Sequence, residues 1–323
     1  MTGQRIVIAG ASGFMGRHFA ARFRADGDTV VTVGRSGSDV AWGDTAALEA
    51  AVDGANLLLN LAGKSVNCRY TEKNKAAIFS SRLLTTGELG RAVAAVASPP
   101  AVWLNASTAT IYRHADDVPQ TDEKGQIGSG FSVNVAGAWE REFFVHHRAG
   151  VRQVALRMAI VLGDGSALTP LLTLARLGLG GTQYGGKSGG GRQRFSWIHI
   201  DDVYRAIRFI AADPAIEGTI NVSSPGPVQN RDLMATLRRV VGARFGLPLT
   251  RWMLEIGAFA IQSETELLLK SRWVLPTRLQ AAGFEFDYPA LEPALRQITG
   301  VTGITGNTGI TGNTDEPRPA RVP

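Results

Sequence analysis

The chain has 323 residues, 44% of them hydrophobic, and a formal net charge of +6, which is ordinary for a globular protein with a sizeable core. Most of its 34 basic residues are scattered arginines, and no basic run indicates a nucleic-acid surface. A single cysteine, Cys68, excludes an intrachain disulfide, and neither a secretory signal nor a membrane span is predicted. We therefore expect a cytoplasmic protein that binds neither nucleic acid nor membrane.

Short apolar runs alternate with helical patterns along the first half of the chain. Strands that are buried on both faces of a parallel sheet appear as continuous apolar runs. The order predicts an α/β fold, a Rossmann-type doubly wound parallel sheet. The predicted strands are residues 5–9, 29–33, 56–62, 101–107 and 152–158, and the predicted helices are residues 14–26, 45–52, 72–96 and 132–148.

The second half of the chain has a different pattern. A helix is predicted at residues 168–180, a glycine-rich loop at 180–192 and an amphipathic helix at 201–213. The composition of the last 25 residues cannot bury a core, which predicts disorder. The expected division is a Rossmann domain at residues 1–227, of which 165–200 contribute to a substrate cleft, a small and mostly helical C-terminal lobe at 228–298, and a disordered tail at 299–323.

The sequence GASGFMG at residues 10–16 follows the first predicted strand and opens the first predicted helix. Gly10 permits a tight turn, Gly13 lets the backbone approach a pyrophosphate, and Gly16 lets the helix pack closely on the strand. The free N–H groups at the helix N-terminus favour phosphates. In this context the pattern predicts a dinucleotide site rather than a glycine-rich turn alone.

The end of the second predicted strand indicates which dinucleotide binds. An NAD site usually carries an acidic residue there, to hold the ribose 2′-hydroxyl. Here Gly34 is followed by Arg35 and Ser36, and a guanidinium with a hydroxyl suits a 2′-phosphate. The sequence therefore favours NADP(H) over NAD(H), although Arg35 could also be an ordinary loop arginine.

With these residues the chain resembles the extended short-chain dehydrogenase/reductase superfamily. It is more similar to the atypical epimerase family branch, which is labelled sugar-nucleotide epimerase-like. The resemblance runs from about residue 4 to 298. Besides the glycine loop, it rests on NLAG (60–63), NASTATIY (105–112), LRMAIVLG (156–163), FSWIHIDDVYRAI (195–207) and a C-terminal segment (267–295).

The resemblance implies roles for individual residues. Thr108 matches the family's catalytic Ser/Thr, which hydrogen-bonds the reacting oxygen. His199 and Asp201 belong to a motif that mainly joins the two lobes. The predicted cofactor-binding residues are Gly10, Ser12, Gly13, Phe14, Met15, Gly16, Arg35, Ser36, Leu61, Ala62, Gly63, Ser107 and Val161.

The chain lacks one feature of the family. Fully active relatives carry Tyr-x-x-x-Lys at the start of the helix that follows the strand of Thr108. In this chain those positions fall on Phe131 and Val135, or on Ser132 and Ala136 if the alignment shifts by one. The atypical branch commonly lacks the pair as well. The usual proton transfer therefore needs another donor.

Several residues are candidates for the missing functions. Tyr112 could donate the proton, or could pack beneath the cofactor. Lys64, after NLAG, could pair with an anionic substrate or approach the cofactor. Arg192, in the glycine-rich loop, could bind a carboxylate or diphosphate, or lie on a solvated hairpin. Trp197 could line the pocket or fill the core. No residue cluster has metal-ligand spacing.

These observations predict an NADP(H)-dependent oxidoreductase or epimerase that acts on a small polar metabolite, which could be anionic. A homodimer is compatible with the sequence. The alternative is a catalytically silent protein that uses NADPH as a structural or sensing ligand. A nucleic-acid-binding regulator is a more distant alternative.

Overall fold

The computed structural model describes residues 3–166, 168–184, 189–250 and 270–301. Its strands are β1 (Arg5–Ala9), β2 (Thr29–Gly34), β3 (Val40–Ala41), β4 (Leu57–Asn60), β5 (Val102–Thr108), β6 (Arg152–Met158), β7 (Ile160–Leu162), β8 (Gln183–Tyr184), β9 (Arg194–Phe195), β10 (Trp197–His199), β11 (Gly218–Val222), β12 (Val228–Gln229) and β13 (Leu249–Thr250). Its helices are α1 (Phe14–Ala25), α2 (Thr45–Val52), α3 (Glu72–Ala95), α4 (Phe131–Val145), α5 (Leu168–Arg176), α6 (Ile200–Ala212), α7 (Asn230–Val241), α8 (Thr277–Ala281) and α9 (Leu291–Thr299). A 3-10 turn covers Ala109–Ile111.

The main sheet has seven parallel strands in the order β11-β6-β5-β4-β1-β2-β3. β1 lies between β2 and β4, with Val7 opposite Val31 and Leu58. All five predicted strands belong to this sheet, so the predicted Rossmann-type fold is confirmed. The sequence pattern misses the two edge strands, because β3 has only two residues and the polar Thr219 and Asn221 interrupt β11.

Apolar side chains are buried on both faces of the sheet. Ile8 of β1 packs in one cluster with Phe19 of α1 and Val203 of α6. Its neighbour Val7 belongs to a second cluster, which contains Leu89 of α3. Because successive strand residues point to opposite faces, an unbroken apolar run is required where helices cover both sides.

The C-terminal part is helical and has a core cluster of its own. Leu237 of α7 and Leu295 of α9 are buried with Leu171 of α5. Residues 251–269 of the predicted lobe lie outside the described residues, and the boundary at 227/228 stays a prediction. No helix in the described ranges is long and apolar enough to cross a membrane.

The last described helix ends close to the predicted start of the tail. α9 runs to Thr299, and Gly300 caps it with a φ of 67°, a left-handed conformation that favours glycine. Residues 302–323, most of the predicted disordered tail, lie outside the described residues.

Candidate functional site

The glycine loop between β1 and α1 has the geometry that its sequence predicts. Gly10 has a φ of +82°, and a Cβ there would lie 2.8 Å from the backbone of Leu61 and Ala62. A Cβ on Gly16 would lie 2.3 Å from the carbonyl oxygen of Gly10. A Cβ on Gly13 would meet only that oxygen, at 3.4 Å. Two glycines thus permit close backbone packing, and the third leaves space beside the loop.

The N-terminus of α1 carries no side-chain cap. Asp44 caps α2 by accepting a hydrogen bond from the Ala47 N–H, and Thr71 caps α3 by accepting one from the Asn74 N–H. Gly13, at the equivalent position of α1, has no side chain, and the first turn contains no acidic residue. The N–H groups of this turn and the helix dipole therefore favour an anion here.

A buried polar network holds the loop that follows β4. The amide oxygen of Asn60 accepts a hydrogen bond from the Ala62 N–H at 3.0 Å. Its amide nitrogen donates to Asn105 at 2.6 Å and to the Thr86 hydroxyl at 3.0 Å. The indole N–H of Trp139 donates to the same hydroxyl at 3.0 Å. The network thus ties β4, β5, α3 and α4 together beneath Leu61–Gly63.

The residues that predict NADP(H) lie at the C-terminal end of β2. Arg35 and Ser36 are exposed there, and their side chains make no hydrogen bond or ion pair with a described residue. Asp39, the acidic residue of the same loop, accepts hydrogen bonds from the N–H and hydroxyl of Thr32 at 2.8 and 2.7 Å. These bonds lower the pKa of Asp39, so its carboxylate is already engaged.

A cavity of about 290 Å³ opens beside the glycine loop, at the C-terminal ends of β4 and β5. In open α/β sheets this edge is where ligands bind. The cavity reaches from the first turn of α1 to the first turns of α4. It is lined by Met15, Leu61, Gly63, Lys64, Ser65, Val66, Tyr70, Ile78, Arg82, Ala106, Ser107, Thr108, Thr110, Phe131, Ser132, Val135, Ala136, Trp139 and Met158.

Thr108 lies on the cavity wall where β5 ends. Its hydroxyl accepts a hydrogen bond from the Thr110 N–H at 3.1 Å and donates one to the Thr110 hydroxyl at 3.0 Å. Ser107 also lines the cavity, and its hydroxyl donates to the buried Glu140 at 2.6 Å. Thr108 at the end of the strand and Thr110 in the turn that follows therefore both line the cavity.

The first turns of α4 form another part of the wall. The cavity is lined by both pairs of residues that align with Tyr-x-x-x-Lys, namely Phe131 with Val135 and Ser132 with Ala136. Neither pair supplies a phenol or an ammonium group. The phenol in the wall belongs to Tyr70, whose ring lies 4.8 Å from that of Phe131.

Arg82 of α3 brings a half-buried cation to the same cavity. Its Nη1 donates to the carbonyl oxygens of Lys64 and Ile78, both at 3.1 Å. Its guanidinium lies 5.0 Å from the ring of Trp139. Burial lowers the pKa of Arg82 to about 10, with Tyr70 acting in the opposite direction. At neutral pH the side chain is charged.

Tyr112 does not lie on the cavity wall. The 3-10 turn after Thr108 carries it into the core, where 1% of it is exposed. Its hydroxyl donates to Asn221 at 2.8 Å and accepts from Arg157 at 3.0 Å. Burial raises the pKa of Tyr112, although Arg157 acts against it. This position argues against the predicted role as proton donor and favours the packing alternative.

The predicted substrate residues have different outcomes. Lys64 is exposed and lines the cavity. Trp197 is fully buried, and its indole N–H donates to Gly226 at 2.9 Å. Its predicted substrate contact is therefore wrong, and the residue fills the core. Arg192 is exposed, between the buried Gly191 and Gln193. Its predicted role stays a prediction, because residues 185–188 of its loop lie outside the described residues.

Val161, which is predicted to bind the cofactor, is not among the residues that line the cavity. Val161 is on β7, half-buried against the main core, and stays a prediction. The predicted contribution of residues 165–200 to a substrate cleft stays a prediction. No described residue in that range lines this cavity, and residues 167 and 185–188 lie outside the described residues. His199 shares a hydrogen bond with Gln297 of α9, at 2.9 Å. This bond agrees with a structural role between the two parts of the chain.

The wall residues that the sequence analysis does not predict include Tyr70, Arg82 and Trp139. Tyr70 precedes α3, and Arg82 and Trp139 lie on α3 and α4, which pack against each other. Nothing in the local patterns brings these residues together. The sequence offers only one indication, the charged residue Arg82 within α3. Arginines are common on the exposed faces of helices, so its presence alone does not predict a site.

The fold and the glycine loop define a Rossmann-type NAD(P)-binding protein. Residues 6–223 match the model of the NAD dependent epimerase/dehydratase family, and residues 249–298 match a domain of unknown function, DUF1731. The chain belongs to the NAD dependent epimerase/dehydratase family. The resemblance derived from the sequence motifs is thereby confirmed.

Individual relatives span nearly the whole chain. Epimerase family protein YfhF of Bacillus subtilis is 32% identical over 302 residues. The match covers 91% of this chain and 97% of YfhF. The crystal structure of human epimerase family protein SDR39U1 (isoform 2) with NADPH has a TM-score of 0.82 at 26% identity and covers 93% and 100% of the two chains. A nucleoside-diphosphate sugar epimerase from Corynebacterium glutamicum has a TM-score of 0.73 at 27% identity, covering 94% of this chain and 60% of its own.

Proposed function

We propose that the protein is an NADP(H)-dependent oxidoreductase or epimerase that acts on a small polar metabolite. The observation that carries the proposal is that Met15 of the glycine-loop helix, Gly63 and Thr108 line a single cavity. A dinucleotide on the loop and a substrate oxygen at Thr108 would therefore meet in one place. The family's cofactor class and the NADPH named for the human relative support the same conclusion.

The residues present fit the cofactor. The uncapped N-terminus of α1 suits the pyrophosphate, and the space beside Gly13 leaves room for it. Arg35 and Ser36 suit a 2′-phosphate, because the neighbouring acidic residue is engaged with Thr32. Bound NADP(H) supplies or accepts a hydride.

Cofactor preference gives a direct test. NADPH should raise the melting temperature more than NADH at equal concentration, since protection follows occupancy of the folded state. Arg35→Asp should weaken NADPH binding by about tenfold to a hundredfold, the value of one or two charge-assisted bonds to phosphate. The same change should strengthen NADH binding. Thermal shift and calorimetric titration with both cofactors measure these effects.

The control is Arg91→Asp, the same charge change at an exposed position on α3 away from the cavity wall. It should alter neither affinity. If the wild type is protected equally by the two cofactors, the preference for NADP(H) is wrong, while binding of the dinucleotide stands.

Thr108 and Tyr70 are the residues to which we assign the chemistry. Thr108 orients the reacting oxygen from the end of β5. Among the described residues of the wall, Tyr70 carries the only phenol. We therefore assign the role of proton donor to Tyr70 instead of Tyr112. Positioning alone lowers the barrier by several kcal/mol, and general acid catalysis adds a factor of about 10² to 10⁴.

Turnover can be tested with pools of candidate substrates. The protein is loaded with NADPH, mixed with pools of aldehydes, ketones and nucleotide sugars, and followed by nicotinamide absorbance in a single turnover, with mass analysis for redox-neutral epimerisation. On any active compound, Tyr70→Phe should slow the reaction by at least about a hundredfold. Thr108→Val should also slow it, because the substrate oxygen loses its hydrogen bond.

Tyr112→Phe is the matched control, since it removes a phenol hydroxyl that does not line the cavity. Its rate should stay within about threefold of wild type. A slow Tyr112→Phe and an unaffected Tyr70→Phe would reverse the assignment. If NADPH binds tightly but a broad screen finds neither oxidation nor epimerised product, the catalytically silent sensor becomes the better interpretation.

A further inference from the structure

The charges that line the cavity are unbalanced. Arg82 and Lys64 contribute cationic groups to the wall, whereas the described wall residues include no aspartate or glutamate. Lys64 is exposed at the rim. Arg82 lies deeper, where burial is sufficient to lower its pKa. Burying a cation without an anionic partner is unfavourable.

The described residues around Arg82 provide hydrogen-bond acceptors for only one of its three guanidinium nitrogens. Nη1 is used by the carbonyl oxygens of Lys64 and Ile78. Nε and Nη2 make no hydrogen bond, and the guanidinium no ion pair, with any described residue. One face stacks near Trp139, and Gly63 packs against the side chain, so that a Cβ there would lie 3.2 Å from Cζ. The guanidinium is thus held in place with one edge unused.

We propose that the unused edge of Arg82 binds a carboxylate of the substrate. The proposal rests on the proposed function, because it takes this cavity to be the substrate site. Nε and Nη2 form a planar pair of donors that matches the two oxygens of a carboxylate. A cavity of about 290 Å³ is at the small end for ligand sites. The substrate class is therefore a small oxo- or hydroxy-acid rather than a sugar nucleotide.

The position of Thr108 in the same wall agrees with such a substrate. Arg82 comes from α3 and Thr108 from the end of β5, and both line the cavity. One end of a small acid would then be held by its carboxylate, while its oxo or hydroxy group meets the threonine. An anion could also come from the cofactor's own phosphates, so the experiment has to separate the two sources.

The test uses the full-length protein saturated with NADP⁺. The probes are 2-oxobutyrate, malate and succinate, each paired with its uncharged amide, together with inorganic phosphate. Binding is measured by calorimetric titration and, for weak ligands, by the indole ¹⁵N–¹H signal of Trp139. At least one carboxylate should bind, and its amide should bind at least about tenfold more weakly, because a charge-assisted pair of bonds is lost.

Three variants locate the interaction. Arg82→Gln should weaken carboxylate binding by at least about tenfold, whereas Arg82→Lys keeps the charge and should lose less. Arg91→Gln changes an exposed arginine of the same helix and should bind like the wild type. The affinity for NADP⁺ should change by less than about twofold in all three, since the cofactor is held by the glycine loop and Arg35. If Arg82→Gln does not fold, the affinity of Arg82→Lys and the comparison of each carboxylate with its amide still test whether Arg82 binds the carboxylate.

The proposal is overturned if no carboxylate binds, or if Arg82→Gln binds carboxylates as the wild type does. Phosphate binding without carboxylate binding would show that the ligand class is wrong. A loss of NADP⁺ affinity equal to the loss of carboxylate affinity would assign the anion to the cofactor. If the wild type binds no NADP⁺, the proposed function fails. In that case the carboxylates are titrated into the apo protein. The difference in their affinity between wild type and Arg82→Gln then shows whether Arg82 binds the anion.

Discussion

Replacing Glu140 by alanine should lower the free energy of unfolding by about 3–5 kcal/mol, because it leaves Arg157 as an unpaired buried charge. Nε and Nη2 of Arg157 donate to the two carboxylate oxygens of Glu140 at 2.9 and 2.8 Å. The side chains of Arg157 and Glu140 are 12% and 10% exposed. Burial alone lowers the pKa of Arg157, but the bonds to Glu140 outweigh it and the net direction is upward. Ser107 also loses the acceptor of its hydroxyl.

Equilibrium denaturation in urea measures this loss. Glu72→Ala provides the control, since Glu72 pairs with Lys75 while 90% exposed, and its removal should change the stability by less than about 0.5 kcal/mol. Combining Glu140→Leu with Arg157→Met should restore about half of the loss or more, as no unpaired charge remains. An ordinary substitution lowers the free energy of unfolding by ~1 kcal/mol. If Glu140→Ala lowers it by no more than that, water already screens the pair of charges.

Replacing Gly16 by alanine should weaken NADPH binding by more than about a hundredfold, because several bonds from the loop to the phosphates depend on its geometry. The added Cβ would lie 2.3 Å from the Gly10 carbonyl oxygen and 2.6 Å from the Ala11 Cα. Both are backbone atoms, so the loop or α1 must shift. The melting temperature of the apo protein should fall as well. Calorimetric titration and a thermal melt measure the two effects.

Gly13→Ala separates cofactor contact from packing. Its Cβ would meet only the Gly10 oxygen, at 3.4 Å, an ordinary contact, so the melting temperature of the apo protein should hardly change. Affinity for NADPH should still fall by about tenfold if a phosphate passes there. Gly137→Ala, on α4, should leave affinity unchanged and serves as the control. Unchanged NADPH affinity in Gly16→Ala would contradict the assignment of this loop as the pyrophosphate site.

Local patterns sufficed for the central sheet and the cofactor loop. The run RIVIA followed by GASGFMG contains a strand, a tight turn and a helix start within twelve residues, and each is determined by neighbours in the sequence. The glycine at position 10 needs a left-handed φ, and the one at position 16 needs contact with backbone only six residues away. Such short-range requirements are visible without the fold.

Tyr112 shows where a local argument fails. It lies four residues after Thr108, which places it near the catalytic position along the chain. After the 3-10 turn at Ala109–Ile111 the side chain of Tyr112 is buried, and its hydroxyl donates to Asn221 on β11, an edge strand that the sequence does not predict. A contact across 109 residues decides its role.

The sequence by itself therefore determines the Rossmann-type fold, the family, the dinucleotide loop and the absence of Tyr and Lys at the start of α4. Each follows from short motifs whose residues are close together in the chain, although the motifs of the family are spread along residues 4–298. The tertiary structure alone decides what occupies the cavity wall opposite that loop. Tyr70, Arg82 and Trp139 line the same cavity as Thr108, because α3 packs against α4 and α4 packs against β5. The charge of the cavity arises from that packing, because neighbouring elements partly remove the guanidinium of Arg82 from water, where an unpaired charge is unfavourable.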